Sequence, residues 1–463
     1  MSTISKSRDT AEPLQRWALW WGGGLFSVAI LMRINNAIRY RTGNGFDAVE
    51  NVQYIELLMR SWALPSPDAA WATAHPPLFY YLAAGLWHGL VEVGRQGDFL
   101  VILPLLISLA GLVPAIVAFR CIGQRAPGDS SRAVMASALL LFLPVHVYMA
   151  PMIGEELLAT AWISLALWCA LPRAFGASSG ESALPRVGQG FSVGVFLGLA
   201  LLTKMSAVLV VSAIVCAWLI QAVSAGHWTS ALKSCGVLLV TALAIGGWYY
   251  IYTFWTYGYL YPQDLAVHQK IFEMPPGHRA WLDYLRFPLA TFRDPQLLNP
   301  DLLHSVWGGT YDTIYFDGHR HFLGQSPTIT RAGTALTLLG LLPTLAFGVG
   351  MLRGVRRALS EPGGWDTILL LTTLFLLVGY VLFTWNNPWY VTVKGSYLLG
   401  LSIPFAFYTS ECLMDWMRKG RAQAWLISAL LLVWIVGVAV TFTIGPVFEK
   451  PDGPGLPWQT LAR

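Results

Sequence analysis

The chain has 463 residues, of which 55% are hydrophobic and only 12% charged. A soluble protein of this length carries about a quarter charged residues, so soluble enzyme, disordered chain and secreted disulfide scaffold are all excluded. The net charge of +5 gathers into no basic and aromatic stripe on a polar domain, so nucleic acid is not an expected partner.

Apolar runs of roughly 20 residues, each enough to cross about 30 Å of hydrocarbon, predict an all-α polytopic membrane protein. Their continuity is that of helices, since barrel strands would alternate over about 10 residues. In chain order the candidates are 17–32, 76–93, 98–119, 133–150, 156–172, 190–203, 205–222, 234–255, 333–352, 365–384, 395–416 and 423–446. The first follows Lys6, Arg8 and Arg16 without a small-residue cleavage site, which reads as an uncleaved span with a cytoplasmic N-terminus. Cys121, Cys169, Cys216, Cys235 and Cys412 sit in or beside these runs without paired spacing, as buried small hydrophobes do.

The positive-inside rule assigns Arg120/Arg125/Arg132, Arg173/Arg186, Lys233, Arg353/Arg356/Arg357 and Arg418/Lys419/Arg421 to the cytoplasm. That parity fails if every run spans. The segment from His75 to Val93, which opens His-Pro-Pro and carries His88, is the one to remove, as an interfacial or re-entrant helix. About 11 transmembrane helices then remain in a plasma (inner) membrane, with the C-terminus outside. Three regions result: 1–256, a transmembrane module holding a first outer loop (35–75) and an acidic turn (151–156); 257–331, a large outer loop; and 332–463, the C-terminal helices. Gly-Ala-Ser-Ser-Gly at 176–180 reads as a flexible inner loop.

Acidic residues are few, so their placement carries information. The first outer loop reads as a helix over about 47–60, with Val52, Ile55, Leu58 and Met59 at helical spacing and Glu50 in its first turn. Asp47 stands where it either caps that helix or serves as a general base at the membrane surface. Glu155 and Glu156 occupy an outer turn, either solvated or lining a shared cavity, because at mid-bilayer each would cost roughly 3 kcal/mol. Lys204 and Lys394, at two further outer turns, either snorkel and anchor or compensate a phosphate. His268, His278, His304, His319 and His321, with Asp312 and Asp317, read as a hydrogen-bonded, solvated loop. Their His-x-His spacing lacks the second cluster that a metal site needs. No phosphate-binding Gly loop and no nucleophile elbow occurs.

Phe46-Asp47 before an amphipathic helix, His75-Pro-Pro-Leu-Phe-Tyr-Tyr-Leu, the Glu155/Glu156 turn, Leu202-Thr-Lys204 and Lys394-Gly-Ser-Tyr397-Leu-Leu, in that order, resemble the polytopic glycosyltransferases of the GT-C superfamily. The resemblance is strongest over 17–220 and is to glycosyltransferase family 39, the protein O-mannosyltransferases and aminoarabinose transferases. It implies a sugar on polyprenyl phosphate as donor, an outward-facing site, membrane lipids as partners, no cofactor, and an acceptor that is a protein, glycan or lipid. It implies Asp47 as base, Glu155 or Glu156 orienting acceptor or sugar, and Lys204 ahead of Lys394 as the cation for the leaving phosphate. Glu50, His75 and Tyr397 join the substrate-binding set. Ala48 after Asp47, Asn51 where relatives place His, and Ser396 in place of Arg depart from the family pattern and bear on substrate identity. A transporter or flippase, and a non-catalytic member of the fold, are the alternatives; the first predicts inverted repeats, of which the sequence shows none.

Overall fold

A computed structural model describes residues 5–172, 185–262 and 265–444; the side chains of 5–17 and 270–272 are not described. The expected inner loop at 176–180, Arg173 and the C-terminal end lie outside the described residues. Among the described residues every regular element is a helix and there is no strand, with one isolated bridge between Pro276 and Trp389.

The first half comprises α1 (Ser5–Arg39), α2 (Ala48–Ser61), α3 (Leu78–Glu92), α4 (Phe99–Ala110), α5 (Val113–Arg125), α6 (Ser130–Leu141), α7 (Pro144–Tyr148), α8 (Glu156–Ala170) and α9 (Val187–Thr203). Then follow α10 (Ala207–Ala225), α11 (Trp228–Ala242), α12 (Trp248–Tyr257), α13 (Pro300–Leu303), α14 (Val306–Tyr315), α15 (Pro327–Ser360), α16 (Trp365–Asn386), α17 (Ser402–Arg418) and α18 (Arg421–Thr443). Among the described residues six helices are long and apolar enough to cross a membrane: Gln96–Arg125, Ala207–Ala225, Trp228–Tyr257, Pro327–Ser360, Trp365–Asn386 and Arg421–Thr443. Ser130–Leu141, Glu156–Ala170 and Val187–Thr203 are shorter apolar helices. The protein is therefore an integral membrane protein. Large apolar side chains left exposed on these helices, among them Trp255, Leu345, Leu352 and Trp425, face the hydrocarbon rather than water.

Three local features depart from a simple reading of the runs. The apolar run 133–150 is two helices, because Pro144 drives Leu143 into extended backbone (φ −67°, ψ 120°) and breaks the ladder. The run 234–255 is α11 and α12 joined through a π-helical turn at Leu243–Gly247, so one continuous helix is kept with a wider step. The run from 395 is 3₁₀ over Gly395–Leu401 and becomes α17 only at Ser402. Helix α3 has 15 residues, about 22 Å at 1.5 Å per residue, short of a membrane crossing.

The arginine clusters converge at one end of the bundle. Arg357 makes two hydrogen bonds to Asp366 (2.8 and 2.9 Å) and one to Glu411 (2.9 Å). Arg132 lies 3.8 Å from Glu411, Arg353 2.8 Å from Asp415, and Arg418 2.5 Å from Asp129. The Trp365 indole donates to the Pro172 carbonyl at this same end. Helix α8 starts at Glu156 at the opposite end and runs into this one; α9 and α16 run the other way and deliver Lys204 and the 387–394 segment to the Glu156 end.

Candidate functional site

Asp47 heads α2 in the left-handed region (φ 49°), and its side chain makes no capping hydrogen bond to the helix. The capping reading fails on that geometry. An aspartate is among the residues that tolerate this region. Its side chain is half exposed and lies 3.6 Å from the Lys394 ammonium. A Cβ on Gly45 would stand 3.3 Å from the Met152 side chain, which shows how closely the Asp47 loop is laid on the acidic turn.

That turn is buried rather than solvated. Glu155 is 3% exposed, and its Oε1 lies 3.4 Å from Lys204 Nζ and 3.5 Å from His75 Nδ1. Glu156 Oε1 lies 3.2 Å from the same ammonium. Lys204, left in extended backbone where α9 ends, does not snorkel; it points back between the two carboxylates. Burial disfavours the charged carboxylate of Glu155, yet Lys204 and His75 outweigh it and hold Glu155 below the usual carboxylate range. Burial disfavours the Lys204 ammonium likewise, yet Glu156 and Glu155 raise it above its ordinary value. Burial also opposes the His75 imidazolium, and Glu155 reverses that, raising His75 above its ordinary value.

Lys394 is buried under aromatic rings, with its Nζ 4.3 Å from the Phe46 ring centroid. Tyr397 lies between the two lysines, 5.1 Å from Lys204 Nζ and 5.8 Å from Lys394 Nζ. Ring faces attract such cations. The backbone at this point is fixed by α14: the Gly395 amide donates to Thr313 Oγ1 (2.7 Å). A Cβ at Gly395 would come within 2.6 Å of Ile314 Cγ1, so only glycine allows the approach.

Asp47, His75, Glu155, Glu156, Lys204, Lys394 and Tyr397 thus meet at one end of the bundle, although they come from segments up to 350 residues apart. Glu50 is half buried on the first turn of α2 and forms no ion pair with the described residues; burial pushes its carboxyl up.

Sequence reasoning assigned no role to Asn51 or Tyr80. The Tyr80 hydroxyl donates to Asn51 Oδ1 (2.8 Å) and reaches Glu155 Oε2 at 3.5 Å, while Asn51 Nδ2 donates to the Ile153 carbonyl (2.7 Å). The pair thereby ties α2 and α3 to the acidic turn. The signal available was that Asn51 stands one helical turn after Asp47.

The sequence reading is corrected for part of the histidine-rich segment: His278 is exposed and His304 partly so, whereas Asp312, Asp317, His319 and His321 are packed rather than solvated. Helix α14 is buried along almost its whole length. The His319 and His321 rings lie 5.3 and 4.2 Å from the Phe46 ring, and His319 bonds the Val393 carbonyl (3.0 Å). Burial, then Lys394, holds His319 well below the usual imidazole range. These histidines support the Asp47 loop and the 387–394 segment from behind. No cluster of three or more metal-ligating side chains occurs among the described residues.

No protein-family model and no curated protein matches the sequence. Solved structures do. The oligosaccharyltransferase of Archaeoglobus fulgidus, tethered to an acceptor peptide containing an NVT sequon, matches with a TM-score of 0.55 at 13% identity over 96% of this chain. The same protein, AglB, in complex with an inhibitory peptide and a dolichol-phosphate matches with a TM-score of 0.50 at 14% identity. This chain spans 57% of that protein's length. ArnT from Cupriavidus metallidurans overlays 87% of this chain and 81% of its own, at 15% identity and a TM-score of 0.40. This chain shares the fold of that oligosaccharyltransferase, the fold expected from the sequence resemblance.

Proposed function

We propose that the chain is a membrane glycosyltransferase that moves a sugar from a polyprenyl-phosphate donor to an acceptor hydroxyl on the extracytoplasmic face. The observation that carries this reading is the Asp47–Lys394 pair. A half-exposed carboxylate with no structural bond lies beside a buried ammonium, at the end of the bundle opposite the arginines. Base and leaving-group cation are the two groups such a reaction requires. The dolichol-phosphate held by the oligosaccharyltransferase of the same fold supports the donor class.

In this mechanism Asp47 takes the acceptor hydroxyl proton. The freed oxygen attacks the anomeric carbon as the bond to the phosphate oxygen breaks, and the phosphate leaves with that electron pair, inverting the centre. Stabilising the departing charge falls to a preplaced cation. Lys204 is already balanced by two carboxylates, whereas Lys394 faces one, so the geometry favours Lys394 ahead of Lys204. Glu155 and Glu156, with His75, hold Lys204 and shape the floor on which sugar and acceptor are oriented. Residues 1–256 with the 257–331 segment would form the catalytic module, and the 332–463 region would deliver Lys394 and Tyr397.

The test is transfer from a radiolabelled polyprenyl-phosphate hexose in membranes containing wild-type or Asp47→Asn protein. Transfer in the wild type and its loss in the variant, at equal expression, is the expected result. Equal turnover in the variant removes Asp47 as the base.

A further inference from the structure

The segment between α12 and α13 contains a stretch that is turned inside out for a loop in water. Over 281–289, Trp281, Leu282, Leu285, Phe287 and Leu289 are each between 46% and 82% exposed. The acidic group of the stretch points the other way. Asp283 is buried and accepts the Ala280 amide (3.1 Å), with Arg279 at 4.0 Å and His304 at 3.7 Å. Arg286 is the one exposed charge among these nine residues. Large apolar side chains exposed side by side mark an interaction surface rather than a solvated loop.

The place of this stretch on α16 says what lies against it. The Trp281 ring packs on Trp385 (centroids 5.0 Å apart), and the Tyr284 hydroxyl donates to the Val381 carbonyl (3.3 Å) and lies 3.0 Å from Thr384 Oγ1. Helix α16 has 22 residues, about 33 Å against about 30 Å of hydrocarbon, so its last residue stands near the hydrocarbon edge. Val381 lies about 7 Å back from that residue, at 1.5 Å per residue. Tyr284 therefore reaches a level inside the hydrocarbon. Leu382 and Phe383, on the same turn of α16, are themselves exposed on the span, and the loop continues their surface.

We propose that 281–289 is inserted into the membrane leaflet on the Lys394 side, a monotopic anchor with acyl chains around Trp281, Leu285 and Leu289 and lipid headgroups at Arg286. A protein cover would have to enter the hydrocarbon beside α16 to reach the same residues. The anchor is fastened to the candidate site. The Tyr390 amide donates to the Pro275 carbonyl (2.8 Å), and Arg279 donates to the carbonyls of Leu303 (2.7 Å) and Trp389 (3.5 Å). The depth of the loop thus sets the depth of the 387–394 segment that carries Lys394. The inference goes beyond the function proposed above and needs neither donor nor acceptor.

The test uses the full chain, with its native cysteines replaced, at one copy per phosphatidylcholine nanodisc. The fluorophore NBD is attached at Leu285→Cys and, separately, at Leu289→Cys, both exposed positions. Quenching by a doxyl-labelled phosphatidylcholine is compared with quenching by aqueous iodide. Val378→Cys, exposed on the span of α16, and Ser66→Cys, exposed in the first outer loop, are the references. Both loop labels are expected to be quenched by the doxyl lipid about as strongly as Val378→Cys and to resist iodide at least fivefold better than Ser66→Cys. Iodide quenching equal to that of Ser66→Cys, with none from the lipid, overturns the anchor in favour of a solvated loop. Protection from both quenchers overturns it in favour of a cover made of protein. Neither readout involves transfer, so failure here is distinct from failure of the Asp47→Asn test.

Discussion

Lys394 has one carboxylate partner and Lys204 has two, and in the proposed mechanism that difference decides which lysine can take the leaving phosphate. With the site empty, Lys394 holds Asp47; a phosphate arriving at Lys394 must compete with that carboxylate. Asp47→Asn is therefore expected to bind polyprenyl phosphate about threefold to tenfold more tightly than wild type, the range for one ion pair of about 1 kcal/mol. Lys394→Met should weaken binding about tenfold. In the Lys394→Met background the gain from Asp47→Asn should vanish; a gain that persists means simple repulsion between Asp47 and the phosphate, not competition for the lysine. His75 supplies a second prediction. Its imidazolium is stabilised by Glu155 and so titrates above about 6.5, the ordinary value. The stability contributed by this pair is full below that ordinary value and is lost as pH rises through the elevated one. NMR of ¹³C-labelled histidine, assigned by the resonance missing in His75→Gln, should show the midpoint fall below the ordinary value in Glu155→Gln, where burial acts unopposed. An unchanged midpoint would mean Glu155 does not set it.

Elements matter here through how their ends are cut. Helix α9 stops at Thr203, so the next residue extends into the acidic turn; α16 stops at Asn386, and the strand-like segment to Lys394 is pinned against α14 by Gly395 and Thr313. Gly395→Ala places a methyl group 2.6 Å from Ile314 Cγ1 and 2.9 Å from its backbone nitrogen. Overpacking of this kind costs about 1–3 kcal/mol and moves Lys394 with its segment. The expected result is a lower melting temperature in detergent and a loss of transfer, at least tenfold, with Asp47 untouched. Melting lowered with full activity would show that Lys394 tolerates displacement. The sequence made α2 legible within a residue, since Val52, Ile55 and Leu58 repeat at the helical period and are all buried. The break inside 133–150 went unread although Pro144 was its signal, because hydropathy alone runs on through a proline.

Across the whole molecule, two charged ends are set apart by the apolar helices. One gathers Arg132, Arg353, Arg357 and Arg418 with Asp129, Asp366, Glu411 and Asp415; the other gathers seven of the eight candidate site residues. Single cysteines at Ala126 and at Ser66, in a background with the native cysteines replaced, should react with a membrane-impermeant maleimide from opposite sides, with Ser66 labelled in intact cells. Labelling of both from one side would dismantle the transmembrane arrangement, and labelling of Ala126 alone in intact cells would invert the proposed face.

Hydropathy and charge alone determined that the chain is a helical membrane protein, because a bilayer imposes a length and an apolar composition on every crossing and places positive loops on one side. The same sequence nominated the site residues, since a charge is rare in such a chain and is seen wherever it occurs. What only the tertiary structure decided is who faces whom. Asp47 faces Lys394 and does not cap its own helix, Lys204 lies between two glutamates, and His319 and His321 pack behind Phe46. Contacts between residues 347 positions apart, as Asp47 and Lys394 are, follow from helix packing and leave no mark in local spacing.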